Sequence, residues 1–125
     1  MPRHVRDSAK LLKGRTGRYI YISTTAVYDF DKTPSVTHES PLHASFPQTE
    51  QVTGESYGPL KAECDLIVQD ILGSAATLVR PCVIVGPGDR TDRFTYWVER
   101  FHRGGDIVCP ADPAREAAWI DARDL

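Results

Sequence analysis

No run of this sequence approaches the roughly 20 consecutive apolar residues that a bilayer-spanning helix needs. Met1 to Lys13 carry too many charges for a signal peptide, so a soluble, cytoplasmic chain is expected. Cysteine is scarce. Cys64, Cys82 and Cys109 are odd in number, far apart and free of any C-x-x-C pair, which suits reduced thiols and excludes a disulfide scaffold. An excess of one charge is also missing: 15 basic and 17 acidic side chains leave a formal charge of −2. No net field recruits phosphate backbones or anionic lipid, which argues against nucleic acid or a membrane as partner. His4, His38, His43 and His102 lack the spacing of a zinc site, and Ser23 lacks the G-x-S-x-G elbow of a hydrolase nucleophile.

A glycine-rich strand-turn-helix for a pyrophosphate is absent as well. Gly14-Arg15-Thr16-Gly17 is too short, follows a helical pattern and precedes a strand pattern, and Lys13 stands on the wrong side of the glycines for a Walker loop. The basic residues Lys10, Lys13, Arg15 and Arg18 fit the carboxyl end of a helix, where cations are favoured.

What remains is ordinary globular composition, 41% apolar and 26% charged over 125 residues, enough for a single unit with a modest core. Val5, Ala9 and Leu12 recur at helical spacing within Arg3 to Lys13, and Gly14 is placed to end that helix. Tyr19 to Ile22 form a continuous apolar, β-rich run, as expected of a parallel strand covered on both faces. Between Asp29 and Ser56, Pro34, Pro41 and Pro47 interrupt a polar stretch without periodicity, the signature of a long functional loop. Ser56 is an N-cap candidate for a helix whose face is Leu60, Cys64, Ile67, Val68 and Ile71. Ala76 to Val79 and Cys82 to Val85 read as short strands, and Gly86-Pro87-Gly88-Asp89 forces a turn. Phe94, Trp97, Val98 and Phe101 mark a further helix whose aromatic stripe is expected in the core, with Arg90 and Arg93 as surface charges before it. Ile107 to Cys109 and Ala118 to Ile120 complete the strand candidates. This order gives an α/β fold, whose parallel sheet binds ligands beyond the carboxyl ends of its strands.

Tyr57-Gly58-Pro59-Leu60-Lys61 carries the strongest chemistry. Four residues on a helix place a phenol and an ammonium on one face, and a nearby cation eases loss of the phenol's proton. Upstream, Ser23-Thr24-Thr25 puts hydroxyls directly after a strand; downstream runs Arg80-Pro81-Cys82-Val83-Ile84-Val85-Gly86-Pro87-Gly88-Asp89.

These blocks, in this order, resemble the extended short-chain dehydrogenase/reductases of the NAD-dependent epimerase/dehydratase type. Thr37-His38-Glu39-Ser40-Pro41-Leu42 and Trp119-Ile120-Asp121-Ala122-Arg123-Asp124-Leu125 resemble further segments of that family. The resemblance implies the later half of a Rossmann-type parallel sheet plus the start of the substrate region, residues 1–125 forming one partial domain. It implies Tyr57 as acid/base, Lys61 as its cationic partner and holder of the nicotinamide ribose, and Thr24 as the substrate-orienting hydroxyl, with Ser23 as the fallback. Ser23, Tyr57, Lys61, Pro81, Cys82 and Val83 would line the cofactor, NAD or NADP, and the substrate would be a small molecule that carries a hydroxyl or keto group, as a nucleotide sugar does, with room for a homodimer. The family's glycine-rich amino-terminal segment is missing, so Met1 is expected to be an internal start of a longer frame or the mark of a remnant. Two other readings stand beside the enzyme: a non-catalytic interaction module, and a nonfunctional fragment.

Overall fold

A computed structural model describes residues 1–33, 35–44, 48–109, 112, 114 and 116–125. Pro34 and Pro47, two prolines of the long loop, lie outside the described residues. The chain divides into two compact units, Met1–Pro81 and Cys82–Leu125.

In the first unit, helix α1 (Pro2–Leu12) starts on a proline, whose missing N–H costs nothing in a first turn, and buries Val5 and Ala9 one turn apart. Gly14 follows at φ 73°, a conformation that glycine enters without a Cβ clash. Strand β1 (Tyr19–Ile22) pairs in parallel with β2 (Ala76–Val79), Tyr19 opposite Ala76 and Ile22 opposite Val79. A parallel pair needs a long crossover, and residues 23–75 supply it through helix α2 (Tyr57–Leu72). Val5 of α1 and Cys64, Ile67 and Val68 of α2 form the core, on which Tyr19, Tyr21 and Leu78 of the sheet pack.

Side chains alternate along a strand, and both helices lie on the Tyr19/Tyr21 side. The other side is open: Ile20 is 59% and Ile22 43% exposed. The expectation of a strand covered on both faces therefore fails within this unit, because no element packs on the isoleucine face among the described residues.

Helix α2 follows the anticipated face, with Leu60, Cys64, Ile67 and Val68 buried. Ser56 does occupy the N-cap position but caps nothing with its side chain. Its Oγ instead donates to the Gln51 carbonyl (2.7 Å) and accepts the Thr53 N–H (2.8 Å), closing the loop onto itself before the helix begins.

The second unit pairs β3 (Val83–Val85) with β4 (Trp119–Asp121), again in parallel, and carries helix α3 (Thr95–Arg103) in the crossover. Two expectations fail here. Ile107 to Cys109 is not a strand. The aromatic stripe of α3 is not core: none of its residues is buried, Phe101 is 60% exposed, and the rings pack on one another, Trp97 at 6.1 Å from Phe101 and 5.1 Å from Tyr96. Helical periodicity reports a shared face, and only a neighbouring element makes that face a core. Among the described residues, no helix is long and apolar enough to cross a membrane.

Candidate active site

Strand β1 ends at Ile22, and the chain turns at once into a short 3-10 helix, Thr25–Val27. Thr24 starts that turn: its backbone is extended, and its Oγ1 accepts the Ala26 N–H at 3.2 Å. A hydroxyl directly after a parallel strand is thereby fixed by a local cap, with its own hydrogen left over for a further acceptor. The Thr25 N–H donates to the Pro81 carbonyl at 2.9 Å, so the residue after β2 and Arg80 lies beside this hydroxyl turn.

The first turn of α2 faces the same short helix. Gly58 is buried against it so closely that a Cβ would stand 2.4 Å from the Ala26 carbonyl oxygen and 3.0 Å from His43 Nε2. Only glycine permits that approach, which sets Tyr57 at the mouth of a cavity of about 250 Å³ with Ala26, Tyr28, Phe30, His43 and Pro59 among its walls. Tyr57 is 43% exposed, as a group that meets a ligand must be. His43 reaches the cavity because residues 41–43 run alongside 27–29: the His43 N–H donates to the Val27 carbonyl (3.0 Å), and Leu42 bridges to Tyr28.

Lys61, one turn beyond Tyr57, reaches back to the end of β1. Its Nζ donates to the Ile22 carbonyl at 2.9 Å and to the Tyr21 hydroxyl at 3.0 Å, and lies 4.5 Å from the centre of the Tyr21 ring. Partial burial pulls the ammonium below the usual lysine range. Thr24 and Lys61 are not among the walls of the Tyr57 cavity among the described residues.

A buried polar network lies next to them. Asp65, fully buried on α2, accepts from Ser23 Oγ (2.5 Å) and from Arg80 Nε (2.8 Å), and Arg80 also donates to the Tyr28 hydroxyl at 2.7 Å. Burial works against the guanidinium charge, but the bonds to Asp65 and Tyr28 outweigh it and hold Arg80 above its ordinary value. Ser23 thus gives its hydroxyl hydrogen to Asp65, and Thr24 is the less buried hydroxyl of the pair. Ser23 and Tyr28 flank the hydroxyl turn, so the network holds both of its ends. Neither Asp65 nor His43 stood out in the sequence. For Asp65 a signal existed: a carboxylate four residues after Lys61, between apolar positions 64 and 67 of a helix, is either buried and paired or wrongly placed. For His43, in an aperiodic loop, there was none.

Cys82 and Val83 belong to the second unit, Cys82 half-buried and Val83 at the start of β3. That unit has its own cavity of about 260 Å³ over the Gly86–Asp89 turn. Gly86, at φ 123°, passes so near Asp121 that a Cβ would meet Oδ1 at 3.2 Å, and Asp121 accepts from two side-chain nitrogens of Arg123, Nε at 2.9 Å and Nη2 at 2.7 Å. Among the described residues, no group of three or more histidine, cysteine or acidic side chains could hold a metal ion.

Tyr57 on a cavity wall, Lys61 one helical turn on and Thr24 directly after β1 all belong to the carboxyl end of the β1–β2 pair, the end at which parallel α/β sheets bind ligands. The sequence pattern of the NAD dependent epimerase/dehydratase family matches residues 2–125, and the chain belongs to that family. No curated protein and no solved structure matches it. Its cofactor class is accordingly NAD(P), and its activity class is that of NAD-dependent oxidoreductases. The residues present fit the nicotinamide end of such a molecule: Lys61 spends two of its three ammonium hydrogens on protein atoms and keeps one for a ligand.

Proposed function

We propose that this chain handles the proton in an NAD(P)-linked epimerisation, dehydration, oxidation or reduction of a small molecule bearing a hydroxyl or keto group, with a nucleotide sugar first among the candidates. Tyr57 is the acid/base that exchanges a proton with the substrate oxygen. Lys61 supports the phenolate electrostatically and holds the nicotinamide ribose. Thr24 orients the substrate oxygen, since Ser23 has committed its hydrogen to Asp65. The backbone of Pro81, which ends the first unit, receives the carboxamide. When bound, the cofactor supplies the hydride chemistry, and the protein supplies orientation and a path for the proton.

One observation carries this reading: Tyr57 opens α2 on the wall of a cavity, while Lys61 of the next turn is fastened to the end of β1. Fluorescence titration of the chain with NADH and NADPH tests it. Saturable binding of either nucleotide, weakened in Lys61→Met and kept in Tyr57→Phe, is the expected result; no saturable binding of either one rejects the reading.

A further inference from the structure

We infer that Tyr21 is a positioning residue for Lys61: its neutral phenol and the Ile22 carbonyl fix the ammonium at the end of β1 without cancelling its charge. The inference rests on the role proposed above for Lys61. Tyr21 sits on the helix-facing side of β1, packed against the cluster that includes Cys64, and its hydroxyl accepts from Lys61 Nζ at 3.0 Å. The same ammonium lies 4.5 Å from the ring centre, so oxygen and π-face both receive it.

What the partner is matters. A carboxylate at this place would form an ion pair and consume the positive charge that a phenolate at Tyr57 or a ribose needs. Burial, and then the neighbouring Cys64, push the Tyr21 phenol far above its ordinary value of 10.0, so it stays uncharged throughout the neutral range. Asp65, the nearest buried carboxylate, is already engaged by Arg80 and Ser23. Lys61 is therefore oriented by two neutral oxygens, the Tyr21 hydroxyl and the Ile22 carbonyl, and its charge remains available to a ligand.

Tyr21→Phe keeps the ring and removes the acceptor. With the full chain, acetylation of each lysine is followed by mass spectrometry over a range of pH, Lys10, Lys13 and Lys32 serving as exposed internal references. Losing the oxygen both frees the amine and disfavours its charged form, so acetylation of Lys61 is expected to quicken about three- to tenfold, the scale of one hydrogen bond. The three references should not change, which excludes a general effect on the reagent, and cooperative urea unfolding of the variant at the wild-type slope excludes general loosening of the fold. Unchanged Lys61 reactivity overturns the inference. Should the variant fail to fold, the wild-type chain decides: the Lys61 ammonium hydrogens must exchange with water more slowly than those of the three exposed lysines by nitrogen-15 NMR, and equal exchange overturns the inference. Absence of nucleotide binding by the wild type would instead sink the proposed function and leave the Tyr21–Lys61 result standing.

Discussion

Arg80 Nε stands 2.8 Å from Asp65 Oδ2, and through this ion pair the end of β2, helix α2, Ser23 and Tyr28 are joined in one hydrogen-bonded chain. The Asp65 side chain is 0% and that of Arg80 16% exposed, so the carboxylate has no water to fall back on and the guanidinium little.

Removing one partner from such a pair leaves an uncompensated buried charge, which costs about 3–5 kcal/mol. Asp65→Ala is expected to fall in that range by urea unfolding, and Ser23→Ala, which removes one hydrogen bond to the carboxylate, to cost only about 1.5–3 kcal/mol. Equal losses for the two would mean that the guanidinium does not depend on the carboxylate.

Helices and strands here were legible wherever local chemistry and packing agree. Tyr19 to Ile22 is a strand with the expected bounds, α2 buries the face that Leu60, Cys64, Ile67 and Val68 define, and Gly14 ends the first helix as its position foretells. The errors share a cause: a sequence pattern states which residues share a face, not what covers it. Ile20 and Ile22, and the Trp97 and Phe101 stripe, were assigned to a core that nothing among the described residues provides. In the site, Tyr57 and Lys61 could be read from their spacing on one helix. The Tyr21, Asp65 and His43 partners could not, because each is brought in by parallel strand pairing or by loop 41–43, across 40 to 52 residues of chain in the case of the Tyr21, Ser23 and Tyr28 bonds.

Alkaline pH should weaken the first unit. The folded Tyr21 phenol lies above 10.0 and the Cys64 thiol above 9.0, burial being the first cause of both. Between those ordinary values and the folded ones, the unfolded chain has lost protons that the folded chain keeps. The stabilisation is thus fully present below about pH 9 and is lost as pH rises, at up to about 1.4 kcal/mol per pH unit for each group. Lys61 has the opposite sign, since its folded value lies below 10.5 and it gains stability with rising pH up to that point. Two groups oppose one, so the urea midpoint should drop above about pH 9, and more steeply above about pH 10, where Tyr21 adds to Cys64. Tyr21→Phe should flatten that drop, and an identical pH slope in the variant would contradict the account.

The approach of Gly58 to the hydroxyl turn is also a test of how the site is built. At Gly58 an added methyl group meets the Ala26 carbonyl oxygen at 2.4 Å, a backbone atom that cannot rotate away. Gly58→Ala should cost about 1–3 kcal/mol by overpacking. At Gly54, where a Cβ meets nothing within 4 Å, alanine should change stability by less than about 0.5 kcal/mol. Thermal unfolding of the two variants side by side gives the comparison, and equal midpoints would show that the first turn of α2 does not press on the hydroxyl turn.

Tyr57→Phe separates chemistry from folding more cleanly than any other change. The side chain is 43% exposed at the first residue of α2, so its hydroxyl contributes little to the core, and the ring that replaces it covers the same surface. Unfolding should therefore stay within about 0.5 kcal/mol of wild type. A positioned acid/base is worth about 10²–10⁴ in rate, so once a substrate has been found by following NADH or NADPH absorbance, kcat should fall by that factor. KM and nucleotide binding should hold nearly constant, because Lys61 keeps its contacts to Tyr21 and Ile22 in the variant. A variant that turns over at the wild-type rate would remove Tyr57 from the reaction, and the proton would have to be assigned to another group on the same cavity wall, with His43 first in reach.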